Sequence, residues 1–412
     1  MADIKSRLLY YSAHRDNSNL EKLLNNRKIN LNIIKDINDN TPLILASANG
    51  HLDTVNFLLS KGADPDSINN KDDRELNNRN NLGRTPILEA SANGHAIVVD
   101  LLYKNTDGYD RDNDGNSSII LASANGHRNV VGLLLSYGDD EVFNKEKKIY
   151  GINDRNESKE TPLIVASKNG HIGIVGILLG MARNEKEFIK LINQKDNMHY
   201  TSIMWASANG HADVVELLLS RGDDTDSLLK LASEYGHANV VEVLLNNGIN
   251  PNDPQNSDSI LWASAKGYTD VVKLLLSSGA DINFKDKNGL TPLILAAQHN
   301  KLDTVELLID KGASIPENID KLLKNPSEEM KLFFINLNVN NMFYVLTKKG
   351  ISKEQAAITA IEHFDVNGIS DKAIEMREVK QQIKKGGKKR NNKTKKNKKK
   401  SSKKIKFNIL LY

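Results

Sequence analysis

One eleven-residue phrase constrains this chain more than any other feature. Thr41-Pro42-Leu43-Ile44-Leu45-Ala46-Ser47-Ala48-Asn49-Gly50-His51 returns as TPILEASANGH at 85–95, SSIILASANGH at 117–127, TPLIVASKNGH at 161–171 and TSIMWASANGH at 201–211. Looser copies are SLLKLASEYGH (227–237), DSILWASAKGY (258–268) and TPLILAAQHNK (291–301), and a front-truncated copy fits Tyr11, Ser12, Ala13, Leu20, Leu23 and Leu24. That makes nine units. A unit this short cannot bury its own apolar face, so neighbours must stack into a solenoid.

Each unit predicts two short helices. Thr41 caps the first with its hydroxyl, and Pro42 takes the first helical position, where no N–H is needed. Leu43, Ile44, Ala46 and Ala48 form a stripe whose alanines permit close approach. Gly50 ends the helix in a left-handed cap. Asp53 then lies near the positive end of a second helix, whose Val55, Leu58 and Leu59 form an i, i+3, i+4 face.

The pattern TPLxLA…GH…VVxLLLxxGADxN resembles the ankyrin repeat over roughly residues 8–313. The resemblance implies an all-α class: paired antiparallel helices joined by short β-hairpin fingers in an α-solenoid of about nine repeats. It also implies protein partners bound along finger tips and the inner face of the first helices. One departure is systematic. The family's TPLH histidine is replaced by Ile44, Leu88, Ile120, Lys230, Ile164, Met204, Leu261 and Ile294. The helix-start hydrogen bonds credited to it must come from the Thr hydroxyl or from water.

Equivalent alanines (46, 90, 122, 166, 206, 232, 263, 296) are spaced 44, 32, 44, 40, 26, 31 and 33 residues apart. The long intervals carry polar insertions at 64–81, 139–160 and 180–200, and insertions in a solenoid map to loops on one face. The 26-residue interval predicts a clipped finger.

Composition closes off most chemistry. The chain has no cysteine, which removes disulfides, thiolate metal sites and cysteine nucleophiles and fits a reducing compartment. It has neither a signal-peptide pattern nor an apolar run of about 18 residues. An intracellular protein, cytoplasmic or nuclear, is expected. Six histidines share one repeat position (His51, His95, His127, His171, His211, His237). Neighbouring repeats stand roughly 10 Å apart, too far for shared metal ligation, so these read as turn residues bonded to backbone. Asp110 to Gly115 opens like a calcium loop, but its twelfth position is Leu121 instead of a bidentate Glu; it reads as a finger turn. No phosphate-binding loop and no nucleophile–base grouping appears. No catalytic residue, cofactor or metal is expected.

What remains is a surface. The inner-face pairs are nearly invariant Ala/Asn in the first five units, and such a stripe discriminates poorly, because hot spots favour Trp, Tyr and Arg. Specificity is therefore expected at Arg84, Asn113, Lys159 and Tyr200 in the fingers, and near Tyr235, Lys266 and His299 in the last units. Trp205 and Trp262 share a column with Leu45, Glu89, Val165 and Leu295. Core packing is the default for that column, and an exposed Trp there would suit a partner.

The array is expected over 1–313, irregular capping helices over 314–338, a small helical segment over 339–379 and a disordered Lys-rich tail over 380–412. In the third of these, Leu346, Gly350-Ile351-Ser352, Ala356, Ala360-Ile361 and Ala373-Ile374 resemble a ubiquitin-associated domain. Lys349 and Ile351 stand where that family has Met and Phe. The tail holds fifteen Lys/Arg and no acid, leaving 41 basic against 52 acidic residues elsewhere, a balance of −11. Its two clusters, Lys388, Lys389, Arg390 and Lys395, Lys396, Lys398, Lys399, Lys400, suit a bipartite nuclear import signal or nonspecific contact with phosphate backbones. Such a tail, with heavy Lys, Asn and Ile usage, is similar to ankyrin proteins of large DNA viruses. The functional expectation is a monomeric, non-catalytic scaffold for a protein partner. The alternatives are an adaptor of the ubiquitin system and a nucleus- or nucleic-acid-associated factor acting through the tail.

Overall fold

The computed structural model describes residues 2–25, 29–66, 78–106, 110–138, 151–220, 227–316, 319–323 and 326–350, with 353, 355, 356 and 360. Expectations for the tail, and for most of the segment after 350, lie outside these residues. The chain divides into two compact units, 1–326 and 327–412.

Among the described residues the first unit holds nine stacked helix pairs. They are α1 (Ala2–Ala13) with α2 (Asn17–Leu24), α3 (Pro42–Ala48) with α4 (Leu52–Ser60), α5 (Pro86–Ala92) with α6 (Ala96–Asn105), and α7 (Ser118–Ala124) with α8 (Arg128–Gly138). After α9 (Pro162–Lys168) and α10 (Ile172–Gly180) comes an extra helix, α11 (Glu185–Ile192). The pairs resume with α12 (Ser202–Asn209) and α13 (Ala212–Leu219), α14 (Leu228–Tyr235) and α15 (Ala238–Asn246), α16 (Ser259–Lys266) and α17 (Thr269–Ser277), and α18 (Pro292–Gln298) and α19 (Leu302–Asp310). First helices pack on first helices, and second helices on second helices, in unbroken order. A short α20 (Ile319–Leu322) closes the unit, tied to α18 where Gln298 Nε2 donates to the Leu322 carbonyl at 2.8 Å. No helix among the described residues is long and apolar enough to cross a membrane.

The sequence dictates each pair. Thr41, Thr161, Thr201 and Thr291 accept from the backbone N–H three residues on at 3.2 to 3.4 Å, as expected where the family's histidine is missing. Thr85 and Ser117 hold the same extended backbone without that bond. The core is aliphatic and repeats by layer: Ile44, Leu88, Ile120 and Ile164 of the first helices and Val55, Val99, Val131 and Val175 of the second are all buried. Burying a Leu, Ile or Val contributes about 1.5–3 kcal/mol, so successive layers dominate the stability of the array.

Two features differ from expectation in form. Among the described residues no strand is formed in the fingers; those at 36–40, 80–84, 112–116, 156–160, 196–200 and 286–290 are five-residue turns closed at the base, as by Asn80 N–H to the Arg84 carbonyl at 3.1 Å. The cause is the residue that opens the turn. Asp112 Oδ1 accepts from both Asp114 N and Asn116 N, so the chain reverses before a ladder can extend. The insertion at 180–200 also contains a helix, α11. Asn184 caps it by accepting from Glu187 N, while Glu187 accepts from the N–H of Arg183, one residue ahead of the cap. Leu191 and Ile192 bury its inner side.

The second unit carries α21 (Glu328–Lys348), capped by the Ser327 hydroxyl accepting from Met330 N at 3.1 Å. It runs through 338/339, where a boundary between capping helices and a separate segment was expected. Its residues include neither Gly nor Pro, so nothing in the sequence stops it before Gly350, which has φ +82°.

Candidate functional site

The fingers form one row. The turns at 36–40, 80–84, 112–116, 156–160 and 196–200 are bonded tip to tip through backbone: Asn81 N to Asn38 O, Asn113 N to Leu82 O, Glu157 N to Asp114 O and Asn197 N to Ser158 O, at 2.9 to 3.0 Å. Arginines rivet the bases. Arg79 donates to the Gly83 carbonyl of its own turn at 2.8 Å and to the Arg111 carbonyl of the next. Arg111 repeats this with Gly115 and Arg155, each at 2.6 Å, and Arg155 reaches the Lys195 carbonyl at 3.2 Å. Guanidinium suits this task because its fork can serve two carbonyls at once.

Beside the finger bases runs the column just before the repeat alanine. Glu89 is buried there and neutralised locally: Asn80 Nδ2 donates to it at 2.8 Å, and Arg84 Nη1 lies 3.7 Å away. At Trp205 the indole Nε1 donates to Asp196 Oδ2 at 2.7 Å. Lys168 Nζ stands 4.1 Å from the Trp205 ring centroid and 2.8 Å from Glu160 Oε1, and the Tyr200 ring lies 5.1 Å from that of Trp205. Burial raises the Tyr200 phenol above its ordinary value, and nearby Tyr235, Glu234 and Asp196 push the same way. Two repeats on, the column holds Trp262, 38% exposed, next to a helix bearing Tyr235, 51% exposed.

The seven residues expected at a partner surface are placed unequally. Arg84 is spent inside the array, its Nε 3.4 Å from Asp112 Oδ2 as well as near Glu89. Asn113 and Lys159 are exposed at finger tips, and Asn113 Nδ2 donates to the Asn81 carbonyl at 3.0 Å. Tyr200 closes the finger turn ahead of α12, with its ring on Trp205, and Tyr235 is exposed at the end of α14, the next first helix. Lys266 and His299 are exposed at the ends of α16 and α18. The tail lysines from Lys388 to Lys400 lie outside the described residues. Sequence reading missed the rivets, although their signal is plain: Lys35-Asp36, Arg79-Asn80, Arg111-Asp112, Arg155-Asn156, Lys195-Asp196 and Lys285-Asp286 all precede the helix-start Thr or Ser at one fixed distance.

No group of three or more metal-ligating side chains gathers among the described residues. Asp112, from the calcium-like stretch, gives its carboxylate to its own turn and to Arg84. A groove of about 540 Å³ opens between the end of α10 and α11, lined by residues including Leu179, Phe188 and Ser220.

The family model described as ankyrin repeats (3 copies) matches residues 2–69, 67–146, 142–228 and 229–319. Protein phosphatase 1 regulatory subunit 12A of Mus musculus is 43% identical over 60 residues, 15% of this chain and 6% of that protein. The ankyrin repeat protein FPV031 of fowlpox virus is 43% identical over 58 residues, 14% of this chain and 17% of its own. The chain thus spans only a small part of these relatives. The crystal structure of the human ASB11 ankyrin repeat domain aligns with a TM-score of 0.46 at 23% identity, covering 57% of this chain and all of that one.

Proposed function

The chain belongs to the ankyrin repeat family, and on that premise we propose that it is a non-catalytic module that docks a protein partner on the first-helix face of α12, α14 and α16. The observation that carries this reading is the exposure of two large aromatics, Tyr235 on α14 and Trp262 on α16, in the units that follow the paired Tyr200 and Trp205. Most of the repeat is Ala/Asn on this face; large aromatics are the residues that anchor interfaces. In this part of the array the repeat interval falls to 26 residues, between Ala206 and Ala232. Lys266 and His299 extend the face, and Asn113 and Lys159 offer polar contacts at the finger tips.

The test is affinity purification with the full-length chain. Trp262→Ala with Tyr235→Ala should lose the recovered partner, whereas Ile97→Ala, an exposed apolar change on the second helix α6, should keep it. Recovery unchanged by the aromatic pair rejects the reading.

A second reading is favoured by charge. The fifteen Lys/Arg of 380–412, among them Lys388, Lys389 and Arg390, suit a nuclear address or nonspecific contact with nucleic acid in an intracellular protein. Binding to DNA or RNA that falls steeply as salt rises, and that disappears when these residues are replaced by Gln, supports it. A ubiquitin-adaptor role would require 315–378 to recruit ubiquitin or a ligase component; full-length chain that captures neither rejects that role.

A further inference from the structure

Two tryptophans occupy equivalent places in the stack with opposite surroundings. From that contrast we infer that Trp262 and Glu234 form a seat for a lysine or arginine side chain of the bound protein partner. The inference rests on the first-helix face being the docking surface.

Trp205 shows what the position holds when it is filled from within. Lys168, at the end of α9 in the preceding repeat, lays its ammonium 4.1 Å from the ring centroid and pairs with Glu160 at 2.8 Å. Ring, cation and carboxylate complete one another, the usual arrangement for a cation held on an aromatic face. Asp196 fixes the indole from the other side of its edge.

Trp262 has the same register on α16, one residue before its repeat alanine, and α14 is the preceding first helix. The residue that stands where Lys168 stands is Glu234. The repeat position that carries a cation ahead of Trp205 therefore carries a carboxylate ahead of Trp262. Among the described residues Glu234 makes no ion pair, and the Trp262 ring makes no aromatic or cation contact. Glu234 is half-buried, whereas Tyr235 beside it is open to solvent. The neighbouring cations do not fill the gap: Lys230 Nζ is held by Asp258 Oδ2 at 2.8 Å, and exposed Lys266, one turn along α16, does not lie over the ring. A basic side chain from outside supplies the missing member, its charge over the indole and against Glu234. An anionic ligand such as a phosphate meets a carboxylate instead.

The test measures a fluorescein-labelled peptide bearing lysine and arginine against the same peptide with glutamine in their place, using the full-length chain at about 0.15 M salt, where long-range charge effects are screened. The basic peptide should bind, and Glu234→Gln and Trp262→Leu should each weaken it about fivefold. Glu242→Gln, the same charge change at an exposed site on α15, should leave it unchanged. Thermal melts confirm that each variant folds. Equal binding of the two peptides, or equal effects of Glu234→Gln and Glu242→Gln, overturns the inference. So does peptide binding that appears only when the lysines from Lys388 to Lys400 are replaced by Gln, which assigns the seat to the chain's own tail. If Trp262→Ala with Tyr235→Ala loses the partner while Glu234→Gln leaves peptide binding unchanged, the docking face stands and the cation seat falls.

Discussion

The imidazole Nε2 of His127 donates to the carbonyl oxygen of Ala92 at 2.8 Å, so the residue that opens one repeat's second helix is bonded to the end of the preceding repeat's first helix. His51, His95, His171, His211 and His237 make the same bond to Ala13, Ala48, Ala124, Lys168 and Ala208 at 2.8 to 3.0 Å. The glycine ahead of each histidine makes room for the next ring. A Cβ on Gly94, whose φ is +82°, would lie 2.5 Å from His127 Nδ1.

His127→Ala should therefore lower stability by about 1–2 kcal/mol, the cost of a half-buried hydrogen bond. Gly94→Ala should cost at least about 2 kcal/mol, because strain at positive φ adds to the collision. The double variant should cost less than the sum, since removing the ring removes the collision. Urea unfolding of the four chains checks this, and strict additivity would contradict it.

How much of this was legible follows from where the determinants sit. The phrase from Thr41 to His51 repeats because each of its residues answers a local demand of cap, stripe or turn, so helix pairs and the backbone role of the histidines could be read directly. In the later units the histidine is replaced by Tyr268 and Lys301, which cover Gly236 and Gly267 in its stead; there the spacing carried the reading. The finger row was harder. Its bonds join Arg111 to Arg155 across 44 residues of chain, and no single unit reveals such a contact. The surroundings of Arg84 were hidden for the same reason: its carboxylate neighbours, Glu89 and Asp112, come from its own repeat's helix and from the next finger.

Arg111→Ala should loosen the fingers without unfolding the helices. The variant loses donors to the Gly115 and Arg155 carbonyls and the contact with Asp154 at 3.6 Å. Amide exchange at Gly115 and Lys159, which close neighbouring turns by donating to Asp112 and Asn156, should quicken by about tenfold, while Val131 and Val175 in the second helices stay protected. Equal acceleration in turns and helices would show that the rivet holds the layers, not the fingers.

The serines at 47, 91, 123, 167, 207, 233 and 264 are buried at one repeat position, and their hydroxyls meet no hydrogen-bonding partner among the described residues. Ala297 fills the same position in the last unit. A small side chain is what close helix approach requires there; the hydroxyl adds a desolvation cost. Ser91→Ala should leave stability unchanged or raise it by up to about 1 kcal/mol. Ser91→Val should lower it by about 1–3 kcal/mol through overpacking. Thermal melts of the two variants decide the matter, and a clear loss in Ser91→Ala would point to an unseen acceptor.

Alkali should probe the outer helices. Tyr103 on α6 and Tyr137 on α8 stack with ring centroids 4.1 Å apart, and the Tyr137 hydroxyl donates to Asp100, which Lys104 also holds at 2.8 Å. Burial, and then the bond to Asp100, push the Tyr137 phenol well above its ordinary value; burial alone raises Tyr103. A raised folded value means that the folded chain keeps protons the unfolded chain would release. That stability is fully present below the unfolded tyrosine pKa of about 10 and drains away as pH rises beyond it. The Asp100 carboxyl is held low, first by Lys104 and then by Tyr137, so its contribution runs the other way, present above about pH 4 and lost as acid protonates it. Tyr137→Phe should thus be less stable than the parent at neutral pH, should lose less on going from pH 9 to about 11, and should show a shallower acid limb. Urea midpoints measured across pH for both chains test all three, and parallel curves would mean that the phenol and Asp100 do not share a proton bond.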